Sequence, residues 1–180
     1  MILIMVMQEF DRKLAEVSDL ISYMAQDFYH FERDAARLVL ELEEMAKKYG
    51  IPIQADLALV RGNLLCGCPE EKAALLSRRE RTKEKQRYVV QQLTRAADCV
   101  ENYFAGSREQ FGRCEQVCGQ IIVGAYYKGL YKKQQDLFLL AAQEEELAPH
   151  MAEVQGMVGC ANARVIFEQA KDYVRYEPEM

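Results

Sequence analysis

Residues 3–49, LIMVMQEFDRKLAEVSDLISYMAQDFYHFERDAARLVLELEEMAKKY, decide the fold class. Leu3, Met7, Phe10, Leu14, Val17, Ile21, Met24, Phe28, Phe31, Ala35, Leu38, Leu42, Met45 and Tyr49 follow one another at alternating spacings of four and three. Such a run is the seam of an amphipathic helix that packs on other helices. Gly50 supplies a C-terminal stop and Pro52 lies just beyond it, so the seam reads as one helix over 3–49. At 1.5 Å per residue that helix is about 70 Å long, whereas a compact chain of this size is about 40 Å across. The expectation is therefore an elongated molecule or a kinked helix.

Working outward, 54–65 (QADLALVRGNLL) reads as a short helix that ends at Cys66-Gly67-Cys68. Pro69, with Glu70 and Glu71 behind it, suits the first turn of a helix running to Phe104 and closed by Gly106. Ser107 with Gln110 resembles a capping box and starts a third long helix to about residue 147. Pro149 opens a fourth, over 150–176. No strand pattern competes. The fold class is all-α: an elongated antiparallel up-down four-helix bundle, with an additional short helix in the first connection and residues 1–180 as one domain.

Composition narrows the function. The chain has 180 residues, 23 Lys+Arg against 28 Asp+Glu, and a net charge of −5, which gives no global attraction to nucleic acid or an anionic membrane. Ser77 to Arg87 (SRRERTKEKQR) is the one local basic patch, with six cations to two anions. It lacks interleaved aromatics for stacking on bases and is expected to lie along the acidic Glu41, Glu43 and Glu44. The longest charge-free stretch, 116–127, has twelve residues, short of the roughly 20 that span a bilayer. With no secretory pattern either, a cytoplasmic location and reduced cysteines are expected.

His30, with Arg33 three residues on, resembles the phosphoacceptor of histidine phosphotransfer domains. The resemblance covers a few residues, and Asp34 stands where those domains carry a small Gly. It implies a signalling bundle phosphorylated on His30. Di-iron bundles need Glu-x-x-His on two helices, and neither His30 nor His150 has that partner. Cys114 and Cys118 share a helix face that Cys160 could join, yet a zinc site needs a second matching pair, so no metal and no cofactor are expected. Glycines at 112, 119, 124, 129, 156 and 159 point to a thin, tightly packed seam, or to a ligand slot lined by Cys114, Cys118, Tyr126, Tyr127, Tyr131 and Cys160. Glu101, Asp136 and Glu168 are scattered carboxylates without a reaction-specific pattern. No phosphate loop, nucleophile elbow or dinucleotide fingerprint occurs. The reading that remains is a non-enzymatic interaction or assembly module. Its hydrophobic N-terminal end, Leu3, Met7, Phe10 and Leu14, is expected to pair with a second copy or a partner helix.

Overall fold

The computed structural model describes residues 3–24, 31–68, 77–130 and 136–174. Among these the chain is all-helical, with seven helices and no strand: α1 (Ile4–Met24), α2 (Glu32–Lys48), α3 (Gln54–Cys66), α4 (Arg78–Tyr127), α5 (Leu137–Gln143), α6 (Ala148–Val158) and α7 (Cys160–Val174). Two compact units divide the chain, one of Met5–Phe104 and one of Met1–Ile4 with Ala105–Met180; α4 contributes to both.

In the first unit the long seam is two helices. Glu9 of α1 accepts a 2.6 Å hydrogen bond from the Tyr49 hydroxyl and lies 3.7 Å from Lys48 Nζ, while Lys13 Nζ is 2.7 Å from Glu41. In one straight helix Glu9 and Lys48 stand about 58 Å apart. The order of the contacts, later α1 residues against earlier α2 residues, makes α1 and α2 antiparallel. The single helix expected over 3–49 is thus overturned; a seam of alternating fours and threes is satisfied equally well by two helices that pack face to face. The residues of the connection, 25–30, lie outside those described.

The α2 terminus follows from its sequence. Gly50, at φ +65°, donates to Lys47 O, and Ile51 N donates to Ala46 O at 2.8 Å, the paired closure that a helix makes when glycine follows its last residues. Ile51 and Ile53 are buried and turn the chain into α3. Leu57, Val60 and Leu64 form the buried side of α3. Buried Gln92 accepts from Asn63 Nδ2 at 3.3 Å, which fixes α3 against α4.

The start of α4 is a complete capping box at 77–80. Ser77 N and Oγ both donate to Glu80 Oε2, at 2.9 and 2.6 Å, and Glu80 N donates back to Ser77 Oγ at 3.4 Å. These bonds hold the Glu80 carboxyl below its ordinary pKa, the Ser77 hydroxyl contributing most. The helix expected from Pro69 is therefore described from Arg78, and 69–76 lie outside the described residues. Ser77→Ala is expected to cost about 1 kcal/mol of local helix stability. Faster amide exchange over the first turn of α4, with no change in α7, is the observable.

α4 does not stop at Gly106. Val100, Phe104, Phe111, Cys114 and Cys118 are all buried, and the interval from Phe104 to Phe111 is one heptad, so the core stripe keeps its phase across Gly106-Ser107. One interior glycine costs about 1 kcal/mol, too little to break a helix whose packing continues. Gln110, expected to cap a new helix, instead donates to Met157 O at 2.7 Å.

The second unit is built from shorter helices than expected. α4 ends at Tyr127, well before 147; Asp136 then caps α5 by accepting from Leu139 N at 3.3 Å. The helix expected over 150–176 is broken at Gly159, whose φ of +79° and ψ of 155° L-residues rarely adopt, into α6 and α7. Phe138 and Phe167 pack edge to face at 5.7 Å. Asn162, 2% exposed, accepts from Ile4 N at 3.0 Å and donates to Val158 O at 2.9 Å. Its amide thus satisfies one of the backbone donors that the first turn of α1 leaves open.

Candidate interaction surface

α3 buries Leu57, Val60 and Leu64 on one side, and in an ordinary surface helix the opposite side is polar. In α3, Ala55, Ala58, Leu59, Gly62, Leu65 and Cys66 follow instead at intervals of three, one, three, three and one, a single stripe opposite the buried one. Ala55, Leu59, Leu65 and Cys66 are exposed, and Ala58 and Gly62 half-buried. Leu59 and Leu65 each leave 66% of their surface in water. A Cβ added at Gly62 meets nothing within 4 Å, so the middle of the stripe is open to close approach. The charged residues of α3 sit beside the stripe: Asp56 is exposed, and Arg61 is drawn to Glu43 of α2 at 2.8 Å. The result is an apolar helix face without an ionisable side chain other than a thiol.

The N-terminal residues expected to form an interface divide differently. Phe10 is fully buried, its ring 5.2 Å from that of Phe104, and Met7 is buried as well. Leu14 is half-buried, and Leu3 is 49% exposed. Two of the four side chains thus lie inside the chain's own core.

Among the described residues the side chains expected to line a ligand slot do not converge. Cys114 and Cys118 are buried, with Cys114 Sγ 4.0 Å from Met157 Sδ, whereas Cys160 is exposed. Tyr127, 83% exposed, follows Cys118 by nine residues, two and a half turns, and so projects from the opposite side of α4. Tyr126 stacks edge to face on Tyr127 at 6.0 Å and is exposed too. Tyr131 lies outside the described residues. Burial raises the Cys114 thiol, with Glu153 adding to it, and pushes Cys118 up to about 12, helped by Cys114 and Glu115. Both are neutral core residues. The tight glycine seam holds at Gly124, where an added Cβ comes within 3.3 Å of Leu147; at Gly112, Gly119, Gly129 and Gly156 it meets open space.

His30 lies outside the described residues, while Arg33 and Asp34 are exposed on α2. Several carboxylates make capping and ion-pair contacts. Asp136 caps α5 and holds Arg164 at 2.6 Å, and Glu168 holds Lys171 at 2.5 Å. Glu41 pairs with Lys13 and Arg37, and Glu43 with Arg61, so both acids have partners other than the basic stretch 77–87. The Glu9 carboxyl is held below its ordinary pKa, first by the Tyr49 hydroxyl and then by Lys48 against the opposing effect of desolvation. Among the described residues no three His, Cys, Asp or Glu side chains converge as metal ligands, and no helix is long and apolar enough to cross a membrane.

Sequence reasoning passes over the α3 face. The signal is present in QADLALVRGNLLC: apolar residues line two opposite faces of this helix, with Gln54 and Arg61 on one flank and Asp56 and Asn63 on the other, and a second apolar face is one more to cover. No protein-family model, curated protein or solved structure matches the chain.

Proposed function

We propose that this chain is a non-enzymatic interaction module, a helical bundle of antiparallel up-down design that self-associates or takes a partner helix on the outer face of α3. The observation that carries the reading is the pair Leu59 and Leu65, each two-thirds exposed on a stripe whose other members are Ala, Gly and Cys. Small residues between two leucines let a second helix approach closely while the leucines close over its sides. A second copy brings the same uncharged face and meets no like-charge repulsion. Water is a poor covering for such a stripe, and its removal supplies the driving force.

Sedimentation equilibrium of the reduced protein, beside a Leu59→Asp/Leu65→Asp variant, tests this. Burying one leucine is worth about 1.5–3 kcal/mol, so the variant is expected to weaken self-association by at least about a hundredfold while helical content stays unchanged. A wild-type chain that remains monomeric at high micromolar concentration removes self-association through this face. Equal association of wild type and variant removes the face itself.

A further inference from the structure

We propose that Cys66 and Cys68 form a redox dithiol that closes to an intrachain disulfide by exchange with a low-molecular-weight disulfide such as glutathione disulfide. Cys66 is also the last residue of the α3 stripe, but the chemistry is that of the unassociated chain and does not depend on docking. Of the six cysteines, Cys114 and Cys118 are buried and Cys99 is half-buried, its thiol raised by burial and then by Asp56. Cys66 is exposed and Cys68 partly so, and only Gly67 separates them.

The backbone permits closure. With Cα steps of 3.80 Å, two residues on either side of one neighbour are at most about 7.6 Å apart, beyond the roughly 4.4–6.8 Å that a disulfide spans. The neighbour must therefore bend. Gly67 is at φ +78° and ψ −179°, in the region that glycine enters freely, and a Cβ added there meets nothing within 4 Å. Its N–H holds the end of α3 through a 3.1 Å bond to Asn63 O, so rotation about ψ of Gly67 can bring Cys68 toward Cys66 while the helix end stays fixed. A ring this small is strained, and strain makes a disulfide easily reduced, which suits a reversible site better than a structural staple.

The exchange balances. The Cys66 thiolate attacks one sulfur of glutathione disulfide, breaking that S–S bond and releasing one glutathione thiolate, which takes up a proton. Cys68 then gives up its proton and attacks Cys66 Sγ, expelling the second glutathione. Two protein thiols are oxidised and one glutathione disulfide is reduced to two thiols. Tethering through one residue keeps Cys68 beside the mixed disulfide, so closure competes with glutathione while the free thiol stays below the effective concentration of Cys68.

The test is equilibration of the intact protein across a series of reduced and oxidised glutathione ratios, acid quenching, and mass analysis. Cleavage after Arg61 and Lys72 releases residues 62–72, which contain Cys66 and Cys68 and no other cysteine. At submillimolar glutathione the expected product is this peptide lighter by two hydrogens, in excess of its glutathione adduct. Cys66→Ser and Cys68→Ser are each expected to retain one glutathione instead. A stable adduct on the wild-type peptide, closure that maps to other cysteines, or no reaction of this peptide at any ratio overturns the proposal; the wild-type map decides even where a variant folds poorly.

Discussion

Phe10→Ala is expected to lower the unfolding free energy by about 3–5 kcal/mol, whereas Leu3→Ala, on the same seam one heptad earlier, is expected to change it by less than about 0.5 kcal/mol. Phe10 is fully buried and its ring lies 5.2 Å from Phe104, so truncation removes an aromatic pair and leaves a cavity between α1 and α4. Leu3 is half in water already. Domain stabilities of about 5–15 kcal/mol make the first change a large fraction of the total. Urea unfolding followed by far-ultraviolet circular dichroism separates the two. A small effect of Phe10→Ala means that this ring faces a partner rather than the chain's own core.

Cys118 is expected to react with a maleimide at pH 8 about a thousandfold more slowly than an ordinary thiol, because a pKa moved from 9.0 to about 12 removes that factor of thiolate. Burial is the main cause, so unfolding in urea restores the ordinary rate. Pulsed labelling with peptide mapping reads each cysteine separately, and exposed Cys160 serves as the internal fast standard. Equal rates at Cys118 and Cys160 contradict the burial of Cys118 in the core. The same shift sets a pH dependence. The folded state holds this proton more tightly than the unfolded state, so the Cys118 contribution is complete below pH 9 and is lost as pH rises from 9 toward 12.

The helical class is legible because one side chain in every three or four carries the pattern, and no local accident erases it. The reversal between α1 and α2 is not. Residues 25–30 contain neither Gly nor Pro, and the seam has the same spacing on either side of them. The boundaries of α4 show the opposite situation, in which two signals are present and only one acts. SRRE at 77–80 is the same capping signature as SREQ at 107–110, but only the second interrupts a core stripe that never loses phase. A cap motif starts a helix where the apolar register restarts. Gly156 and Gly159 illustrate a true limit. Both stand in a helical pattern, and only the backbone shows that Gly159 takes the positive φ. For the candidate site, residue spacing favours Leu3 to Leu14, while burial moves the exposed apolar surface to α3, where Leu59 and Leu65 lie outside the long periodic seam.

The bond from Ile4 N to Asn162 Oδ1 joins residues 158 apart in sequence. During synthesis at about 5–20 residues per second, Ile4 waits roughly 8–30 s for its acceptor to be made. The unit that combines Met1–Ile4 with Ala105–Met180 therefore cannot finish on the ribosome while Met5–Phe104 alone has emerged. Over that interval the apolar start of α1 belongs to an incomplete unit, and the order of translation, rather than the strength of any contact, decides when it is covered.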